Sequence, residues 1–237
     1  MATHPHAWPV DIANLTALNA YAGRMKLNPD TTWLMSPAEQ AALIGLLSCL
    51  RPEIAIEIGV GFGGSLQVTS RYAGRVFALD LDPKASKYAP QRNVTFVPGD
   101  SKVTFPALLR RLYDAPPGGV GYVLIDGDHS FDGVRADIAP LLALEIDCPL
   151  FVVMHDSFNP EVREGIRAAP WASSPFAHSV ELDFVSGSVP GAGHEMWGGL
   201  ALALLLPERR AGGLAAAGMQ EYQFSLAKRH RLDKAAG

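Results

Sequence analysis

Apolar residues along the chain fall into short runs, and two spacings alternate. The runs at 54–58, 75–80, 93–97, 120–125 and 149–154 have the length of strands and are apolar on successive positions. Strands covered by helices on both faces read this way. The stretches 63–73, 102–113 and 131–145 between them carry helical spacing. Pro140, inside the last of these, is expected to kink or interrupt it. Upstream, Ser36-Pro37-Ala38-Glu39 places serine at a helix N-cap, proline at the first helical position and glutamate at the third. That is a capping box. Its helix is expected to run to about Leu50, with Ala42, Leu43, Leu46, Leu47 and Leu50 on the buried face and Arg51-Pro52 ending it.

Five strands with helical crossovers imply an α/β fold, a doubly wound, Rossmann-like, mostly parallel sheet. After Pro160 a short helix to about Ala168 is expected. Residues 179–185 and 199–206 read as two further strands, an antiparallel hairpin around SGSVPGAGHEMWGG, for a seven-stranded sheet. A last helix is expected around Leu214 to Arg231. The chain reads as one domain over 1–237: an N-terminal arm or lid (1–35), a cofactor-binding core (36–168), and C-terminal strands and tail (169–237).

Composition narrows the partners. The 237 residues are 48% hydrophobic and 19% charged, with a net charge of −4, values of a soluble globular protein with no call on nucleic acid or an anionic membrane. The one basic cluster is Lys228 to Arg231. The N-terminus lacks a basic start followed by an apolar core, and the apolar run Leu200 to Leu206 is too short to span a bilayer, so a cytoplasmic location is expected. Two cysteines, Cys49 and Cys148, exclude a disulfide framework and are expected as buried thiols.

The chemistry concentrates at strand ends. Gly59, Gly61 and Gly64 spell G-x-G-x-x-G after the first strand, and Asp80 closes the second, 21 residues after Gly59. This is the layout of a nucleotide-type cofactor site, so an NAD-dependent oxidoreductase has to be weighed. Glu57 argues against it, because an acid there would face a diphosphate at close range. Further acids follow the later strands: Asp100-Ser101 after the third, Asp126-Gly127-Asp128-His129 after the fourth, His155-Asp156 after the fifth. Several acids around one cleft suit a cationic ligand or a metal ion.

The segments EIGVGFGGS, ALDLDP, VPGDS, YVLIDGDHSFDGVRADI and FVVMHDSF resemble the class I S-adenosylmethionine-dependent methyltransferases. The last two resemble in particular the metal-dependent O-methyltransferases of sugars and macrolide glycosides, of macrocin and mycinamicin type. The resemblance spans residue 53 to about 167 and is weak at both ends, which in that family carry acceptor specificity. It implies that Glu57, Gly59, Gly61, Gly63 and Ser65 hold the methionine part of S-adenosylmethionine. Asp80 would take the ribose hydroxyls, and Asp100 and Ser101 would lie beside the adenine. Asp126 would border the cofactor and, with His155 and Asp156, ligate Mg²⁺ or Mn²⁺. The family often has two acids where this chain has His155-Asp156, which leaves the third ligand open. His129 would be the base, with His155 and Asp128 as alternatives.

The acceptor implied is a hydroxyl of a sugar or glycosylated small molecule, with Trp33, Trp171 and Trp197 as candidate faces for a pyranose ring. Competing readings are the NAD-dependent oxidoreductase, a cephalosporin-hydroxylase-like metal enzyme on the same fold, and a non-catalytic cofactor-binding protein. The N-terminal arm and apolar final strand point to a homodimer or higher homo-oligomer.

Overall fold

The computed structural model describes residues 31–114, 119–188 and 196–218. Their elements run α1 (Pro37–Leu50), β1 (Ile54–Ile58), α2 (Gly64–Tyr72), β2 (Arg75–Asp80), β3 (Val94–Pro98), α3 (Ser101–Tyr113), β4 (Val120–Ile125), α4 (Phe131–Leu142), β5 (Leu150–His155), α5 (Pro160–Ala168), β6 (Ala177–Ser188), β7 (Trp197–Leu205) and β8 (Ala215–Ala217). One sheet holds all eight strands in the order β3-β2-β1-β4-β5-β7-β6-β8. The first five are parallel. β7 runs antiparallel to both β5 and β6. The fold is the expected Rossmann-like one with its C-terminal hairpin, and β8 adds an eighth strand parallel to β6.

The strand period of two splits the apolar residues into two cores. Ile54, Ile56, Phe105, Leu109, Ile138 and Ile166 pack on one face of the sheet, which α3, α4 and α5 cover. Ala55, Ala78, Leu124 and Val153 face the other way, against Leu43, Ile44, Leu47, Leu66 and Val68 of α1 and α2. The chain reverses its winding between β1 and β4, so a crevice opens at the carboxyl ends of these neighbouring strands.

The capping box of α1 forms on both sides: Ser36 Oγ accepts from the Glu39 N–H, and Glu39 Oε2 accepts from the Ser36 N–H at 2.5 Å. α4 passes through Pro140 and stops two residues later, short of 145. The hairpin strands run over Ala177–Ser188 and Trp197–Leu205, the first longer than 179–185 at both ends and the second starting two residues before 199 and ending one before 206. The helix expected from Leu214 is corrected at its start. Ala215–Ala217 pairs with Ser179–Glu181 as a strand, since the otherwise unpaired edge of β6 supplies partners for its amides. The remainder of that expected helix, residues 219–231, and most of the expected N-terminal arm, residues 1–30, lie outside the described residues. Cys49 is exposed on α1 and Cys148 half-buried, against the expectation of two buried thiols; an apolar run placed Cys49, but the helix turns it outward. Among the described residues no helix is long and apolar enough to cross a membrane.

Candidate functional site

The turn after β1 is built by close approach. Gly59 has φ +88°, and a Cβ there would lie 2.0 Å from the Asp126 carbonyl oxygen, so β1 and β4 meet only because the residue has no side chain. Asp80 Oδ2 accepts from the amides of Val60 (2.8 Å) and Gly61 (3.1 Å), and its Oδ1 accepts from Asp82 N–H at 2.8 Å. The acid at the end of β2 thereby pins the turn. Gly63 begins α2 without a side-chain cap, and Thr32 bridges to it from upstream.

Glu57 is fully buried on the α2 side of the sheet, with Ser65 Oγ donating to its Oε1. Its Oε2 has no hydrogen-bond partner among the described residues. Burial pushes the Glu57 carboxyl up to about 7, against the pull of the Ser65 and Thr69 hydroxyls, and the nearby Asp126 charge raises it further. A half-satisfied buried acid facing other acids calls for a cationic donor.

The second wall is made where β4 and β5 end side by side. His129 Nε2 lies 3.3 Å from Asp126 Oδ1 and 3.2 Å from Asp156 Oδ2. One ligand atom from each of Asp126, His129 and Asp156 falls within 4.8 Å of the others, close enough to face one metal ion. Asp156 takes the left-handed backbone conformation (φ +56°) that non-glycine residues rarely adopt. Its Oδ1 accepts from the Gly198 N–H at 2.6 Å. Burial alone would raise Asp126, but the charge of His155 and hydrogen bonds from both histidines hold it below the usual carboxylate range. The hydrogen bond to Asp126 raises His129 in return.

His155, expected among the metal ligands, instead sits behind this group. Its Nδ1 lies 2.8 Å from Asp126 Oδ1 and 3.3 Å from Asp156 Oδ2, and its Nε2 lies 3.4 Å from Glu39 Oε1. Burial opposes its protonation, yet the Asp126 charge and hydrogen bonds to Asp126, Asp156 and Glu39 push the imidazole up to about 12. The structure thus brings His129 into the three-residue group and buries His155 among carboxylates. Glu39 is the site residue that the sequence reading missed. As the third residue of a capping box it has a complete local explanation, and nothing in its spacing signals the cleft.

Other expected residues have local partners. Asp100 caps α3 by accepting from the Lys102 N–H at 2.9 Å, and Ser101 opens that helix. Asp128 pairs with Lys102 at 3.0 Å and accepts from the Ser130 N–H at 3.0 Å. Its hydrogen bonds from Ser130 and Lys102 pull it down to about 2, which makes it a weak base. Trp197 meets the His129 ring edge-on at 5.7 Å. Trp33 packs on Gly64. Trp171 is buried, with its indole N–H donating to Ile166 O at 2.7 Å, so it packs in the core away from the acid-lined cleft. Behind the cleft, Arg163 forks onto Asp183 at 2.9 and 3.0 Å and reaches Ser157 O at 3.3 Å, anchoring the loop that follows β5. A separate apolar cleft of about 480 Å³, lined by Ile166, Trp171, Leu182 and Leu214 among others, contains none of these acids.

The sheet order and the glycine turn define a Rossmann-like fold. Residues 56–157 match the family model described as a methyltransferase domain. Among solved structures, an O-methyltransferase from Bacillus cereus in complex with SAH is similar at 15% identity, over 84% of this chain and 93% of that one, with a TM-score of 0.53. The O-methyltransferase TomG from Streptomyces achromogenes, involved in tomaymycin synthesis and solved with SAM, is similar at 18% identity over 83% and 90%, also at 0.53. Cofactor-bound Rv0187 from MTB is similar at 20% identity over 87% and 100%, at 0.52. No curated protein matches the chain. At these identities the likeness is one of fold.

Proposed function

We propose that the chain is an S-adenosylmethionine-dependent O-methyltransferase, assisted by a divalent metal ion, that methylates a hydroxyl of a sugar or glycosylated small molecule. The observation that carries the reading is the Asp126–His129–Asp156 group beside the Glu57–Ser65 turn, in a chain whose core matches a methyltransferase domain. The residues fit the cofactor. The unpartnered Glu57 Oε2 offers an acceptor to an ammonium group, and the uncapped start of α2 offers amides to a carboxylate. Asp80 keeps acceptor capacity for ribose hydroxyls beyond the amides it already binds. They also fit Mg²⁺ or Mn²⁺, for which the Asp126 and Asp156 carboxylates leave positions open to water or substrate.

Bound S-adenosylmethionine supplies an electrophilic methyl group on a sulfonium. An alcohol is a poor nucleophile at neutral pH, so the chain has to hold it in line and take its proton. His129 is the base in this reading: half-exposed beside Trp197, it keeps its Nε2 on Asp126 and Asp156, and the other ring nitrogen, Nδ1, receives the proton. Asp126 and Asp156 orient that ring and would hold the metal, whose charge lowers the acceptor's pKa.

Calorimetry with S-adenosylmethionine and S-adenosylhomocysteine tests the cofactor, with binding expected in the micromolar range, roughly that of enzyme substrates. Absence of binding by either overturns the reading. A methyl-transfer screen of hydroxylated sugars and glycosides, run with Mg²⁺, with Mn²⁺ and after EDTA treatment, tests acceptor and metal together. Full activity in EDTA removes the metal from the proposal.

A further inference from the structure

Glu39 belongs to the beginning of α1, far in sequence from every strand end that builds the cleft, yet its side chain is only 2% exposed. Its two oxygens do different work. Oε2 accepts from the Ser36 N–H and closes the helix cap. Oε1 accepts from the Gly199 N–H and lies 3.4 Å from His155 Nε2. A helix cap needs only the first of these contacts, and glutamates that serve as caps are ordinarily left in water. Burying this carboxylate is tolerable only with donors on both oxygens, and the Ser36 and Gly199 amides supply them beside the His155 ring.

The same geometry joins Glu39 to Asp156. Gly198 and Gly199 open β7 with φ +73° and +83°, which points two successive amides towards the cleft. The Gly198 N–H goes to Asp156 Oδ1 and the Gly199 N–H to Glu39 Oε1. Any side chain at Gly198 would meet Glu39 Oε1 at 3.0 Å. The His155 ring lies between carboxylates, with Nδ1 2.8 Å from Asp126 Oδ1 and 3.3 Å from Asp156 Oδ2, and Nε2 in ion-pair range of Glu39 Oε1 at 3.4 Å. Wedged there, the ring backs the oxygens that Asp126 and Asp156 turn towards His129.

We propose that Glu39 is a positioning residue of the active site: through His155 and the Gly198–Gly199 amides it fixes the orientation of Asp126 and Asp156. The inference rests on the methyltransferase reading for its consequence in turnover, but its geometric content can be tested without any acceptor.

The experiment is ¹H–¹⁵N NMR of the His155 ring in ¹⁵N-labelled protein, comparing the unaltered chain with Glu39→Gln and Ser36→Ala. An amide at position 39 cannot accept from Ser36 and Gly199 together, because one of its ends is itself a donor. The unaltered protein is expected to show slowly exchanging ring N–H signals, Glu39→Gln to lose or broaden them, and Ser36→Ala to keep them while melting at a lower temperature from its weakened cap. Retained ring signals in Glu39→Gln overturn the proposal. Should that variant not fold, Glu39→Asp keeps the charge and is read in the same way. One methylene shorter, it cannot span Ser36, Gly199 and His155, so intact ring signals there overturn it equally.

With an acceptor in hand, Glu39→Gln is expected to lower kcat about 10- to 100-fold with KM for S-adenosylmethionine unchanged, and Ser36→Ala to leave kcat unchanged. Equal losses in the two variants would reduce Glu39 to a helix cap and overturn the proposal. Failure of the methyltransferase reading shows itself separately, as absence of S-adenosylmethionine binding by the unaltered chain, and leaves the NMR comparison intact.

Discussion

Asp137 gives the most direct test of the electrostatics worked out here. It lies on α4 with 1% of its surface exposed, and neither carboxylate oxygen makes a well-formed hydrogen bond among the described residues. Burial pushes its carboxyl up to about 6; the Ser101 hydroxyl holds it down in part and the Asp128 charge adds to the rise. An unfolded aspartate titrates near 3.9, so the gap is worth about 3 kcal/mol. A raised carboxyl binds more protons folded than unfolded in the window between those values, and there stability falls as pH rises. The contribution is fully present below about pH 4 and lost above about pH 6. Asp137→Asn removes the ionisation while keeping the shape. Urea unfolding of both proteins from pH 4 to 8 should therefore give a difference that grows in favour of the variant by about 2–3 kcal/mol between the two ends. Comparing the two profiles cancels every other titrating group. Parallel profiles would refute the reasoning and mean that Asp137 is hydrated or paired when ionised.

Further outcomes follow from the same geometry. Arg163→Met removes the guanidinium that forks onto the buried Asp183 carboxylate, and is expected to cost about 3–5 kcal/mol in urea unfolding; a loss under about 1 kcal/mol would show that the pair is not sealed from water. Gly59→Ala forces a Cβ into the Asp126 carbonyl, so it should destabilise by about 1–3 kcal/mol or more and abolish S-adenosylmethionine binding in calorimetry, with unaltered affinity the contrary result. His129→Ala should lower methyl transfer by about 100-fold or more while cofactor affinity stays unchanged; equal turnover would take the base role away from this ring.

Most of the sheet was legible along the chain because β1, β2, β4 and β5 are buried on both faces over most of their length and so are largely apolar, a signal that survives whatever packs against them. The glycines at 59, 61 and 63 and the acids at 57, 80, 126 and 156 were legible for a related reason: a backbone turn and an adjacent strand end are local, and sequence order alone brings them to one edge of a parallel sheet. β8 was not. Three alanines take whichever partner is near, and only the open edge of β6 makes them a strand.

The division of labour between His129 and His155 was not legible either. Both follow strands and both neighbour acids, and three residues or one residue of spacing cannot say which ring faces the cleft. Packing decides it, by setting His155 at the last position of β5, under α1, where the Glu39 carboxylate waits on its far side. The sequence by itself therefore determined a doubly wound sheet with an acid-lined glycine turn at its reversal point, since those features are written in local period and backbone geometry. Only the tertiary structure decided that a helix-capping glutamate reaches the cleft and that both His129 and His155 close on Asp126 and Asp156, from opposite sides. Those are contacts between elements distant in sequence, and charge placement across them depends on how helix and hairpin close over the strand ends.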